Sequence, residues 1–135
     1  MRNIYFVQAC DLHGAAGNET AYLPYATGLL AAYAFHNETV KENYRVKRFI
    51  YKKERIADAV ASMEAPAVVG FSTYIWNNEY NLRLAEAIKK AYPGCAIVFG
   101  GHNVYNEASD QLRAYPFIDF LIHGEGEIAF CELLV

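Results

Sequence analysis

Residues 67–72 read Ala67-Val68-Val69-Gly70-Phe71-Ser72, and the fold turns on this stretch. It is apolar without alternation, as a strand covered on both faces must be, whereas a strand with one wet face alternates. Doubly covered strands belong to parallel sheets, whose neighbouring strands are joined by crossover helices. The flanking sequence supplies those helices. Downstream, Asn77 or Asn78 is placed to cap a helix in which Leu84, Ala85, Ile88, Ala91 and Tyr92 share one face. Glu79–Arg83 and Glu86–Lys90 are i,i+4 pairs on its wet side, and Pro93-Gly94 stops it. Upstream, a helix over about Lys53 to Met63 buries Ile56, Ala59, Val60 and Met63. Before it, Tyr44 to Tyr51 reads as a strand whose basic residues around Val46 and Ile50 suit a sheet edge.

The same strand-and-helix alternation runs through the rest of the chain. Asn3 to Ala9 is a strand, followed by a loop, Cys10 to Ala21, broken by Gly14, Gly17 and Asn18. A helix starts at Pro24, whose missing N–H costs little in a first turn, and Ala26, Leu29, Leu30, Tyr33 and Ala34 recur at helical spacing. Cys95 to Phe99 is a strand running into Gly100-Gly101, Asn106 to Tyr115 a short helix and Phe117 to His123 a strand. The last helix follows Gly124-Glu125-Gly126-Glu127. Five such units predict an α/β fold, a Rossmann-like or flavodoxin-like doubly wound five-stranded parallel sheet with helices on both faces. The order 2-1-3-4-5 follows from the first and third strands being the most apolar and the second the most charged.

The 135 residues amount to one domain, residues 1–135. A chain of this length buries enough surface to fold without disulfide or metal staples. The end at Leu133-Leu134-Val135 is apolar and lacks a stop signal, so the expectation is a fragment of a longer chain. A net charge of −3 argues against nucleic acid as a partner. No apolar run approaches the roughly 20 residues of a membrane span, and the start is too short for a signal-peptide core. Cys10, Cys95 and Cys131 are widely spaced, without a CxxC pair. They read as reduced, buried thiols in a cytoplasmic protein, with no membrane partner.

In such a sheet ligands bind beyond the carboxyl ends of the strands. The loops there carry Cys10-Asp11-Leu12-His13-Gly14, Ser72-Thr73-Tyr74-Ile75-Trp76-Asn77, Gly100-Gly101-His102-Asn103 and His123-Gly124-Glu125-Gly126-Glu127. Gly100-Gly101 either lets backbone approach a ligand or makes a tight turn. Ser72 either satisfies its own backbone or donates to a ligand. Tyr74 and Trp76 form a wall for a planar ligand or pack on the next helix. Asp11 and His13 are an acid–imidazole pair on the first loop, suited to fixing a tautomer or to plain solvation. Glu125 and Glu127 fit a helix first turn, where the macrodipole favours carboxylates. GxGxxG, GxxxxGK[ST], a response-regulator acid set and a nucleophile–His pair are all missing, so no complete catalytic site is assigned. A flavodoxin-like FMN carrier would need a hydroxyl-rich phosphate cradle, and the first loop offers only Asn18 and Thr20 near its end.

Taken together, Val69 to Asn77, Ile97-Val98-Phe99-Gly100-Gly101 and Asp119 to Glu127 resemble the N-terminal cobalamin-binding domain of radical S-adenosylmethionine (radical SAM) proteins. The Leu23-Pro24 entry into Gly28-Leu29-Leu30-Ala31-Ala32-Tyr33 is similar to that family too. The resemblance implies a domain that holds cobalamin at the carboxyl edge of the sheet, with a methyltransferase as the parent. It implies that the nucleotide tail lies between the loops after the third and fourth strands. Ser72, Thr73, Tyr74, Trp76 and Asn77 would then stand on one side and Gly100, Gly101 and His102 on the other. Asp11, His13, Gly124, Glu125 and Gly126 would border the corrin. His13 is the candidate axial ligand of cobalt, within Asp11-Leu12-His13-Gly14-Ala15-Ala16. The related pattern Asp-x-His-x-x-Gly has Gly where Ala16 stands here, and Gly17 comes one position late. No Cys-x-x-x-Cys-x-x-Cys is present, so S-adenosylmethionine and a [4Fe-4S] cluster would belong to a C-terminal radical SAM domain in cis. The alternative from another class is a ligand-free docking domain of the same fold, using Phe130, Leu133 and Leu134 as a patch.

Overall fold

The computed structural model describes residues 1–12, 14, 17, 19–104 and 107–135. Five parallel strands, β1 (Arg2–Cys10), β2 (Tyr44–Lys52), β3 (Pro66–Ser72), β4 (Ala96–Gly100) and β5 (Phe120–Leu121), lie in the order β2-β1-β3-β4-β5. This is the expected doubly wound order, with the basic β2 at one edge and β3 at the centre. In β3 the residues Val68 to Ser72 are all buried, the outcome of burial on both faces.

Alternate residues of each strand feed two cores. Tyr5, Val7, Val69, Phe71, Ile97 and Phe99 pack with Leu84, Ala85 and Ile88 of α4 (Asn78–Ala91) and Ala59 of α3 (Ile56–Ala61). Ile4, Phe6, Val68 and Val98 pack on the opposite face with Ala34 of α1 (Tyr25–Ala34) and Phe130, Cys131 and Leu134 of α6 (Glu127–Leu134). This α1/α6 face of the sheet is the one that opens into a cleft.

The structure differs from the sequence reading at four places. A six-residue helix, α2 (Glu38–Asn43), precedes β2; it is too short to show a period, and its start is fixed by Asn37, whose side chain accepts the Val40 N–H at 3.3 Å. The α3 helix is shorter than the expected Lys53–Met63. The expected strand Phe117–His123 shrinks to two residues because Asp119 takes over the pairing of Ile97. Its N–H donates to the Ile97 carbonyl at 2.9 Å, and its carboxylate accepts the Ile97 N–H at 2.7 Å and the Lys89 ammonium at 2.8 Å. In α1, Leu29 and Tyr33 are exposed, while Thr27 and Ala34 are buried. No charged residue occurs in this helix, so apolar spacing could not choose its inward face. The start expected for α5 (Ala108–Ala114), Asn106, lies outside the described residues.

Candidate functional site

The loops after β3 and β4 are sewn together. The Thr73 N–H donates to the Gly100 carbonyl at 2.8 Å, and the Asn103 N–H donates to the Thr73 carbonyl at 3.0 Å. Gly101 sits at φ +99°, and a Cβ there would lie 2.6 Å from the Thr73 oxygen and 2.7 Å from its nitrogen. Gly101 is therefore a seam residue, required because two backbones touch. Gly100 is different: a Cβ there would meet nothing nearer than the Ile122 oxygen at 3.7 Å. The space expected between Thr73 and Gly101 is closed, and the opening lies beside it, on the α1/α6 face.

That opening is a cleft of about 600 Å³, within the range of roughly 300–1,000 Å³ usual for ligand sites. Its floor is the α1/α6 face of β3 and β4, where Gly70, Val98 and Gly100 are exposed to it. Gly70 follows Val68 on that face, and the missing side chain lowers the floor. A Cβ would stand 3.2 Å from a Phe6 ring carbon and 3.5 Å from a Phe130 ring carbon. Leu30 of α1 and Phe130 of α6 make the flanks, with Ile122 beside β4. Gly126 lets the start of α6 sit close to α1, since a Cβ there would be 3.2 Å from Leu30 Cδ2.

Ser72 ends β3 at the cleft and is 5 % exposed. Its carbonyl accepts from Asn77 Nδ2 at 3.1 Å and Asn81 Nδ2 at 3.2 Å. No hydrogen bond within the described residues engages its hydroxyl. Thr73 and Asn77 are instead turned into the protein. Thr73 is fully buried, and its hydroxyl accepts from Asn81 Nδ2 at 3.4 Å. The Asn77 amide accepts the Tyr74 N–H at 2.8 Å and donates to the Ala9 carbonyl at 3.1 Å, tying β1 to the β3 loop. Asn77 thus gives no side-chain cap to α4, contrary to the sequence expectation, and its amide is engaged within the protein.

At the mouth three rings stack in a row. Tyr74 and Trp76 lie 4.5 Å apart at 4°, and His102 stacks with its ring 5.3 Å from Tyr74 at 25°. Trp76 remains 56 % exposed. Its carbonyl accepts from the Lys53 ammonium at 2.7 Å, which also meets Asp11 at 3.1 Å. Asp11 is therefore held by Lys53, and His13, its expected partner, lies outside the described residues. Tyr74 also walls a second recess of about 210 Å³ with Gln8, Cys10, Tyr22, Leu23 and Trp76. Gln8 Oε1 accepts the Thr27 N–H at 3.0 Å, so β1 caps the first turn of α1 that opens onto the cleft. Gly124, Glu125 and Gly126 complete the mouth beside His102 and His123.

Sequence reading found the strand-end loops but missed Gly70, Leu30, Ile122 and Phe130, which shape the inner cleft. The available signal was Gly70 and Ser72, two small residues two apart in an otherwise bulky strand. The thiols show no poised chemistry: all three are buried, and burial pushes Cys95 up to about 11. Among the described residues no three His, Cys, Asp or Glu side chains gather as a metal site, and no helix is long and apolar enough to cross a membrane.

A family model described as the B12 binding domain matches residues 23–134. The chain is 31 % identical over 134 residues to a 2-(S-pantetheinyl)-carbapenam-3-carboxylate methyltransferase of Streptantibioticus cattleyicolor, covering 99 % of this chain and 18 % of that protein. It is 32 % identical over 133 residues to the cobalamin-dependent radical SAM methyltransferase TokK of Streptomyces tokunonensis, covering 98 % of this chain and again 18 % of the relative. The chain thus spans less than a fifth of the length of these relatives. Among solved structures, a CheY-like protein (tadZ) of Pseudomonas aeruginosa PAO1 superposes with a TM-score of 0.55 at 16 % identity, covering 99 % of this chain and 94 % of that one. That likeness concerns the fold alone.

Proposed function

The chain belongs to the B12-binding domain family, and from that premise we propose that the cleft over β3 and β4 receives the nucleotide tail of cobalamin while the corrin rests on the carboxyl edge. The observation that carries this reading is the slot itself. The floor is low at Gly70, where Phe6 and Phe130 leave no room for a side chain, and open at Gly100, where a Cβ would meet nothing nearer than 3.7 Å; an open slot beside a packed core is what stability alone would fill. Its volume of about 600 Å³ and its apolar Leu30, Val98, Ile122 and Phe130 suit a flat aromatic group entering from the strand ends.

In this reading Gly70 and Gly100 make room, and Leu30, Ile122 and Phe130 exclude water from the tail. The Ser72 hydroxyl offers the one side-chain hydrogen bond to a ring nitrogen at depth. The stacked Tyr74, Trp76 and His102 form a rigid ledge at the mouth, where a broad planar group gains contact area without ordering mobile side chains. Gly124, Glu125 and Gly126 border the same opening, and Lys53 holds Asp11 against the ledge. Bound there, cobalamin supplies a cobalt centre that carries and hands on a methyl group; the protein's share is to grip and orient it. By analogy with the cobalamin-dependent radical SAM methyltransferase TokK, the domain serves a radical SAM partner domain that brings S-adenosylmethionine and an iron–sulfur cluster. A docking domain without ligand has no use for a bare-floored slot, which weighs against that alternative.

The test is to add hydroxocobalamin to the purified protein, desalt it and record the visible spectrum. Retained colour with a spectrum shifted from the free cofactor is expected. A Ser72→Trp variant, folded by circular dichroism, is expected to be colourless. Equal retention by both would refute the placement of the tail, and a colourless parent would refute the function. A His13→Ala repeat reads whether that imidazole reaches cobalt.

A further inference from the structure

We infer that the inner cleft selects among corrinoids by their lower base, accepting a benzimidazole and rejecting a purine, with Gly70 setting the depth available. This inference rests on the proposed tail site and adds to it a specificity that the site's position alone does not imply. Its basis is the polarity of the inner walls. Leu30, Val98, Ile122 and Phe130 bring no polar side-chain atom to the cleft. The backbone of β3 and β4 is committed to the parallel ladder that pairs Gly70 with Val98 and Ser72 with Gly100. The Gly100 carbonyl is further occupied by the Thr73 N–H at 2.8 Å. Among the side chains of β3 and β4 that line the cleft, the Ser72 hydroxyl is the one polar group.

One hydroxyl matches a dimethylbenzimidazole, whose free ring nitrogen is its only polar atom and whose methyl groups suit the apolar walls. Adenine presents several ring nitrogens and an exocyclic amine. Ser72 can serve one of them, and the others would be buried without partners, which is costly whichever edge leads. Besides Ser72, the polar side chains of the lining are Tyr74 of the loop after β3, His102, His123 and Glu125 of the loops after β4 and β5, and Glu127 at the start of α6. They stand at the mouth, where they meet the phosphate and sugar side of a tail rather than its base. Phe6 and Phe130 back the floor at Gly70, 3.2 Å and 3.5 Å from where a Cβ would stand, so the floor there is fixed by packed rings.

The experiment compares equilibrium binding of three corrinoids to the same protein: cobalamin, the corrinoid carrying adenine as lower base, and tail-free cobinamide. Cobalamin is expected to bind about 10- to 100-fold more tightly than the adenine corrinoid, the range for leaving buried polar groups unpaired. Adenine is the weaker base and leaves cobalt more readily, a bias that favours the adenine corrinoid, so the expected order cannot arise from it. A Gly70→Val variant is expected to bind cobalamin only as well as cobinamide, with cobinamide affinity unchanged; its fold is checked by circular dichroism and melting. Equal affinity for cobalamin and the adenine corrinoid, both above cobinamide, would overturn the selectivity and leave the tail site standing. Equal affinity for all three would remove the tail from the cleft, and no binding of any would refute the proposed function together with this inference. The three-ligand comparison on the parent protein decides the matter even if the variant does not fold.

Discussion

Replacing Gly101 by alanine would put a methyl group where the backbone of Thr73 already stands. The φ of +99° costs an L-residue about 1–2 kcal/mol. A Cβ at 2.6 Å from the Thr73 oxygen cannot be tolerated, so the seam must part. Parting it weakens the bonds from Thr73 to Gly100 at 2.8 Å and from Asn103 to Thr73 at 3.0 Å, each worth about 1 kcal/mol. The total is about 3–4 kcal/mol, and for a domain of this size the melting temperature should fall by about 10–15 °C. Urea unfolding followed by circular dichroism measures the loss, with an unchanged slope confirming that the same cooperative unit unfolds. Gly28→Ala is the control: its site in α1 has nothing within 4 Å, and it should gain about 0.5–1 kcal/mol from helix propensity. A Gly101→Ala loss below about 1 kcal/mol would refute the seam. Beyond stability, a parted seam should weaken cobalamin binding, because Ser72 and Tyr74 are positioned by it.

Asn77→Ala removes three hydrogen bonds that join β1, β3 and the ledge loop, and a loss of about 2–4 kcal/mol in urea unfolding is expected. Phe130→Ala should cost about 3–4 kcal/mol by opening the core next to Gly70; a loss below about 1 kcal/mol would mean the flank is not packed. Stability should decline at alkaline pH. Burial raises the Cys95 thiol from 9.0 to about 11, so its contribution is present below pH 9 and is lost as pH rises towards 11. Melting curves of Cys95→Ala across that range should lose part of the slope, and an unchanged slope would remove Cys95 from the cause.

The central strands were legible because their composition leaves one solution. Ala67 to Ser72 is too apolar to face water, and the basic residues of Tyr44 to Tyr51 fit only an edge, so strand order followed. Asp119 was not legible as a strand-end residue, since its role depends on Ile97 and Lys89 meeting it from distant positions. The inward face of α1 was hidden for the opposite reason, a helix apolar on every side. Tyr25, Leu29 and Tyr33 remain exposed on it. At the site, residue type marked the loops but could not say which way each side chain turned. Thr73 and Asn77 differ little in kind from Ser72, yet the seam and the Asn77 bridge turn them inward. Gly70 escaped attention because, within a strand, a glycine shows its purpose only when Phe6 and Phe130 stand around it.

The tail site itself is tested most directly by two-dimensional amide NMR of the 135-residue protein with and without cobalamin. The amides of Gly70, Ser72, Gly100 and Gly126 are expected to shift strongly on binding, while those of α3, on the opposite face of the sheet, stay in place. Shifts confined to the strand-end loops, with Gly70 and Gly126 unmoved, would contradict it.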